Sequence, residues 1–282
     1  MKKIILLFLL TFLFIVVHAQ EFENEKQALT TTSTTVGAGF VELLDPYLSP
    51  FEYNGFQVKI QNNSRRYFSA DNDKLSYSNR LFLELGKGNH PSGRNSMLFF
   101  NTNYMFGVNY HMRPADNVMF LAGASWDIDL GGKYLGRNVN NPFSLDLFTD
   151  INATAEVQYR FDLWNRNMRI QYGAVSPLMG CMFIPMQNVS YYELFVLNNT
   201  NDAFHFSSLH NKRAWFQYFN FDIPFNFNTL RLSLHHDYLK YSANEVVYRK
   251  NAITFSVGAV MHLYAFKGKK NKIPTSFIHS YE

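Results

Sequence analysis

The chain of 282 residues has one cysteine, few charged residues and no long apolar run beyond its first 20 positions. Each shortage excludes something. Cys181 has no partner for an internal disulfide, so a small disulfide-stapled scaffold is ruled out, and it lies too far from the N-terminus to be a lipid-attachment site. Charged residues make up 17% of the chain, where soluble domains carry about a quarter. A membrane-spanning helix needs about 20 consecutive apolar residues, and nothing after residue 20 approaches that. The formal charge of +4 also lacks the distribution that phosphate binding needs. Lys2 and Lys3 sit in the N-terminal leader, and the tail holds Lys267, Lys269, Lys270 and Lys272 against Glu282, leaving a net −1 for the rest. No nucleic-acid partner is expected, and the tail reads as a solvated basic terminus.

Aromatic side chains, by contrast, are plentiful: 28 Phe and 17 Tyr in a chain that is 47% hydrophobic. The first 19 residues have the layout of a cleaved secretory signal peptide, with Lys2 and Lys3 before the apolar run Ile4–Val17 and a small-residue exit at Val17, His18 and Ala19. The mature protein is therefore expected to cross a membrane.

Its apolar surface is delivered by alternation. In "TDINATAEVQYRFDLW", residues 149–164, one face reads Ile151, Ala153, Ala155, Val157, Tyr159, Phe161 and the other Asn152, Thr154, Glu156, Gln158, Arg160, Asp162. The pattern recurs in "MLFFNTNYMFGVNYHM", "VMFLAGASWDIDL", "LRLSLHHDY" and "AITFSVGAVMHL". Period-two alternation over about ten residues, repeated between turn signals, predicts an antiparallel up-and-down transmembrane β-barrel. A soluble sandwich would use strands of about 5–6 residues, shorter than these. The apolar faces then meet lipid, with Tyr104, Tyr110, Trp126, Tyr159 and Phe161 among the outward aromatics, and the polar faces line the lumen.

About ten strands are predicted, within a range of eight to twelve, at 31–42, 54–68, 74–87, 97–112, 118–130, 149–164, 167–179, 214–224, 229–242 and 251–266. The domains follow: residues 1–19 signal peptide, 20–30 N-terminal segment, 31–266 barrel, 267–282 basic periplasmic tail. An even number of strands puts both termini on one side, with short periplasmic turns such as "RPADN" and longer external loops, among them residues 180–213. A two-residue turn at Asn165–Arg166 would pair Trp164 with Asn167 and Asp162 with Arg169. The expected lumen cluster is Asp127, Asp129, Glu156, Arg160, Asp162, Arg169, Arg231, His235 and Asp237.

The segments "VELLDPYLSPFEYNG", "GAVSPLMGCMFIPMQNVSYYELF", "FSSLHNKRA" and "HHDYLKYSANEVVYRKNAITFSVGAV" together resemble an uncharacterised outer-membrane barrel family of Bacteroidota, a domain of unknown function. The resemblance implies fold and outer-membrane location and no activity. The partners expected are outer-membrane lipid, the barrel-assembly machinery and a surface glycan or protein ligand. The last strand ends at Phe266 with sixteen residues still to come, which leaves the usual C-terminal assembly signal internal.

Two catalytic readings compete with a non-catalytic one. "WDID" places Asp127 and Asp129 on one face and "LHHDY" places His235 and Asp237 on one face, an echo of the acid and Asp–His pairs of omptin proteases. The order His-x-Asp departs from that pattern, and His235 lies too deep for an external groove. "NHPSGRN" puts His90 two residues from Ser92, similar to outer-membrane phospholipases and lipid A deacylases, but in a loop and without an identifiable acid. Adjacent His235 and His236 point to opposite faces and cannot share a metal, so neither metal nor cofactor is expected. The non-catalytic reading is a narrow channel or a surface-binding protein. Ten strands lie near the eight at which side chains fill a barrel, and mixed charges suit paired networks. Tyr191, Tyr192, Phe195, Phe204 and Phe206 in the long external loop are the candidates for surface contact, or else for a plug over the mouth.

Overall fold

The computed structural model describes residues 26–138, 141–187, 189–197, 200, 202–225, 228–264 and 276–280. The expected signal peptide, Phe266 and the lysines of the tail lie outside the described residues. In chain order the elements are β1 (Lys26–Asp45), β2 (Ser49–Tyr67), β3 (Leu75–Asn89), β4 (Ser96–Ala115), β5 (Val118–Tyr134), β6 (Phe143–Leu163), β7 (Arg166–Phe183), helix α1 (Tyr191–Phe195), β8 (Phe204–Ser208), β9 (Lys212–Pro224), β10 (Thr229–Ala243), β11 (Val246–Leu263) and β12 (Ser276–His279).

Ten staves close into one antiparallel barrel, each beside its neighbour in sequence, with β11 returning to β1 from Thr30 opposite Leu263 to Leu44 opposite Arg249. The short β8 and the longer β9 share one stave. Residues 169–175 of β7 pair with β9 and residues 179–183 with β8. Following paired residues once round from Ile170 on β7, through Phe221, Leu232, Val257, Val36, Ile60 and onward, returns to β7 at Phe183, thirteen residues higher. A climb of that size goes with the strand tilt of roughly 35–45° that a closed barrel needs.

The expected segments coincide with the ten staves, but most strands run further at the end that carries the β1–β2, β5–β6 and β10–β11 turns, called external after the expected orientation, and the reason is a reversal of pattern. In the middle of the wall Phe40, Val58, Leu83, Trp126, Ile151 and Phe255 point outward and are exposed, while Gln57, Glu84, Asn103, Asp127 and Thr254 are buried inside. Above that belt the phase inverts. Glu42, Lys240 and Arg249 now point outward, and Val41, Leu43, Tyr241 and Tyr248 point inward and are buried. A wall surrounded by lipid must be apolar outside, whereas a wall surrounded by water must keep its apolar residues inside. Reading for one phase alone ends the strands too early.

Two expectations are corrected. The β6–β7 turn is made by Trp164 and Asn165, both with positive φ (54° and 57°), so Leu163 faces Arg166, Asp162 faces Asn167 and Arg160 faces Arg169. A type I′ turn needs two left-handed residues, and placing them one position earlier shifts the register. Asp162 is therefore bonded to Asn167 (3.2 Å), and Arg169 turns to Asp222 on β9 (2.6 Å). The end of the tail is also not a free terminus: β12 folds back to lie parallel to residues 26–29 of β1, Ser280 is fully buried, and the ring of His279 stacks on His262 at 4.2 Å.

Candidate functional site

Every strand sends alternate residues into the lumen, and there the polar ones organise into two layers. In the external layer Lys133 pairs with Asp45 (3.0 Å) and Asp146 (2.6 Å), Lys212 with Asp150 (2.5 Å), Lys59 with Asp237, and Lys250 with Glu84. Aromatic rings back these cations: Lys133 lies over Tyr248, Lys212 over Phe148 and Lys59 over Phe82. In the periplasmic layer Arg65 grips Glu156 through two bonds of 2.8 Å, while Tyr218 and Gln158 donate to the same carboxylate. Asp222 there accepts from both Arg169 and Arg231, and Arg231 continues to Ser33 and Gln171. Gly173 makes this layer possible, since a Cβ at that position would lie 2.2 Å from the Tyr218 ring.

Little space is left. The external layer surrounds a chamber of about 60 Å³ and the periplasmic layer one of about 80 Å³, each room for only a few water molecules. Gln61, Arg80 and Tyr218 line both chambers and so stand between them. The external mouth is closed by an apolar cluster that includes Val41, Leu43, Leu48, Met97, Phe148, Met182, Tyr241 and Tyr248. Tyr47 in the β1–β2 turn fastens it by donating to the Val189 carbonyl (2.7 Å) and packing edge-on against Tyr191. Burial pushes the Tyr47 hydroxyl above the ordinary phenol range, as does the neighbouring Tyr191, so it stays a donor.

Of the expected lumen cluster, Asp127, Asp129, His235 and Asp237 line the external chamber together, and Glu156 and Arg231 line the periplasmic one. Asp127 accepts from Asn103 and from the Asp150 backbone, and Asp129 from Asn101 and Asn103. His235 is 5% exposed. Arg160 and Asp162 stay at the periplasmic rim, where Arg160 donates to the Asp116 carbonyl at 2.6 Å. The expected cluster omits Lys59, Arg80, Glu84 and Lys250, although alternation in "FQVKIQ", "RLFLELG" and "YRKNAITF" points each of them inward. His90 and Ser92 do meet, Nδ1 to Oγ at 2.8 Å. The Ser92 backbone N–H donates to the same nitrogen (3.0 Å), the ring packs on Phe51, and among the described residues no carboxylate is bonded to it.

The external loop divides its aromatics. Tyr191 crosses the rim, contacting the apolar cluster and accepting from the Leu145 backbone N–H at 2.6 Å, where β7 has ended. Helix α1 begins at a capping box in which Ser190 and Glu193 bond reciprocally. Those bonds hold the Glu193 carboxylate below its usual range. Tyr192 and Phe195 on α1 and Phe204 and Phe206 on β8 are exposed.

Among solved structures the chain is similar to the outer membrane protease OmpT from Escherichia coli, at 6% identity over 87% of this chain and 99% of that one, with a TM-score of 0.46. It is also similar to the transport unit of the autotransporter AIDA-I from Escherichia coli (8%, 88% and 94%, TM-score 0.45). A third similarity is to an outer membrane channel from Pseudomonas putida F1 (10%, 87% and 98%, TM-score 0.33). No curated protein matches the chain. Residues 4–270 match the profile of a family described as "Protein of unknown function (DUF3316)".

Proposed function

The chain belongs to the DUF3316 family, whose function is unknown, so membership brings no activity with it, and we propose that the protein is a non-catalytic outer-membrane barrel with a closed lumen that acts through its external surface. The observation that supports this reading is the crowding of the lumen: paired charges surround two small chambers, with the apolar cluster above them. A solute path would have to break both. Export through a signal peptide cleaved after Ala19, a Bacteroidota source, insertion by the barrel-assembly machinery and a surface glycan or protein ligand belong to the same reading. The barrel sits in lipid through the outward belt that holds Trp126, Ile151 and Phe255.

The test is conductance of the folded mature protein in a planar bilayer. Electrical silence is expected. Reproducible current steps that change in a Glu156→Gln variant would replace this reading with a narrow channel. The hydrolase reading gains one point from the structure, since Asp127, Asp129, His235 and Asp237 do converge on one chamber. Against it, Asp237 is held by Lys59 and the chamber lies under the apolar cluster. Turnover of peptide or lipid ester that is lost in His235→Ala or His90→Ala would restore it.

A further inference from the structure

The external rim is not the same all the way round. On the β11–β1–β2 side the outward face above the apolar belt turns polar, with Asn251 bonded to Glu42 and Arg249 paired with Glu52 on the surface. On the β6–β7–β8 side it stays apolar. Leu145 and Leu147 continue the outward row of β6, and Phe183 faces outward beside Phe204. Helix α1 is draped over this sector from outside: Leu194 and Ala203 bury Phe183 to 3% exposure, with Leu145 and Leu147 packed against them. The drape does not finish in a polar surface. It presents Phe195 (56% exposed), Val196 and Leu197, flanked by Phe204 and Phe206 (64% exposed) on β8. Only Glu193 is charged between Tyr191 and Leu197.

Contiguous exposed apolar area of this kind marks a contact surface. Its continuity decides what the contact is. β8 pairs with β7 in register, so Phe206 stands directly beside Cys181 and, two residues down the β7 face, Met179 leads into the belt of Ile151 and Trp126. The apron is an upward extension of the surface that the barrel turns to lipid, on one side only. We infer that α1 and β8 seat in the outer leaflet, with Phe195, Val196, Leu197, Phe204 and Phe206 against lipid chains close to the headgroups, holding the barrel by one flank. The inference rests on the membrane reading above. Aromatic and aliphatic side chains suit that depth, whereas a glycan partner would call for polar groups beside the rings, and from Leu194 to Leu197 every side chain is apolar.

Lipid quenching separates the possibilities. In a background with Trp126, Trp164 and Trp215 changed to Phe, a single tryptophan is restored at 126 or introduced by Phe195→Trp or Phe206→Trp, and each protein is folded into phosphatidylcholine vesicles. Trp126 should lose emission in vesicles brominated near the chain ends. The tryptophans of Phe195→Trp and Phe206→Trp should lose it in vesicles brominated near the glycerol backbone and resist iodide from the water. If the 126 probe is quenched and both apron probes respond only to iodide, the apron faces water and the inference is overturned. Protection from bromine and iodide alike would place protein over the apron, a second copy or another partner, and also overturns it. A 126 probe untouched by brominated lipid would instead overturn the membrane reading itself.

Discussion

At the external end of the lumen the inward side chains are Val41, Leu43, Met97, Met182 and Tyr241, while at the periplasmic end they are Arg65, Glu156, Arg169, Asp222 and Arg231. Both ends are filled, by opposite chemistry. The contrast follows the surroundings of the wall: where lipid takes the apolar residues the inside is left to polar groups, and where the wall stands in water the inside becomes an ordinary apolar core. The molecule is in effect a soluble-type barrel stacked on a membrane-type one. Each half should fail in its own way.

The largest effect is expected from breaking the periplasmic half. Glu156→Ala leaves Arg65 without its carboxylate and takes the acceptor from Tyr218 and Gln158, and breaking a buried ion pair from one side costs about 3–5 kcal/mol. Asp222→Ala, which strips a carboxylate from both Arg169 and Arg231, belongs in the same range. Urea unfolding in lipid vesicles measures both. Losses under about 1 kcal/mol, the size found for exposed pairs, would mean that water reaches this layer freely, and the contrast between the two ends would collapse.

The external half should behave as a packed core. Met182 has no exposed surface, so Met182→Ala should cost about 2–5 kcal/mol and Met182→Leu less than about 1.5. Equal losses in the two variants would show that something other than packing volume holds this end. In the bilayer measurement Met182→Ala should stay silent, because the ion pairs beneath it still fill the lumen.

How far this was legible from the chain differs between the two halves. The membrane half announces itself: Ile151, Ala153, Ala155, Val157 on one face against Asn152, Thr154, Glu156, Gln158 on the other allow no second placement, so facing follows from the pattern, and strand number follows to within eight to twelve because the alternation is weaker in 31–42 and 214–224. The external half carries the same period with opposite phase, and stretches such as Val41 to Leu44 fall where one rule stops and the other has not become visible. Partnerships inside the lumen were less legible still. Alternation sends Glu156 and Asp222 inward, but Arg65 reaches Glu156 across the barrel from β2 to β6, and only closure and stagger bring those strands face to face. Asp162 and Arg169 show the cost of one residue: a turn placed one position late pairs them, and the left-handed Trp164 separates them.

Two hairpin turns offer a smaller comparison. Asn244 and Glu245 at the external β10–β11 turn have φ of 49° and 64°, the same geometry as Trp164 and Asn165 at the periplasmic β6–β7 turn. A left-handed conformation costs a non-glycine residue about 1–2 kcal/mol, so Glu245→Gly should raise stability by up to about 1 kcal/mol once the added freedom of the unfolded chain is subtracted. Trp164→Gly relieves the same strain but removes an exposed indole from the periplasmic rim, where an aromatic favours the membrane interface. Thermal melts in matched vesicles should therefore rank Glu245→Gly above Trp164→Gly. The reverse order would place Trp164 outside the interface.

The smallest effect concerns the docked tail, at the end where polar chemistry rules. His279 is stacked on His262, whose Nδ1 meets the Thr31 hydroxyl at 2.9 Å, and Ser280 donates to the Arg65 carbonyl at 3.4 Å. Burial, with Arg169 and Arg160 adding repulsion, depresses the His279 imidazole to about 4, against about 6.5 for a free histidine. The docked tail thus holds a neutral ring, and the undocked tail takes the proton more readily. Docking is at full strength above about pH 6.5 and weakens as the pH falls from there toward about 4, because only the undocked state gains protons across that window. A spin label at Phe277→Cys, with Cys181→Ser to leave one thiol, should gain mobility on acidification while the barrel stays folded, and His279→Gln should flatten the response. An unchanged response in His279→Gln would move the titration to His262, and no response in either protein would mean that the parallel pairing of β12 with β1 holds the tail without help from the imidazole.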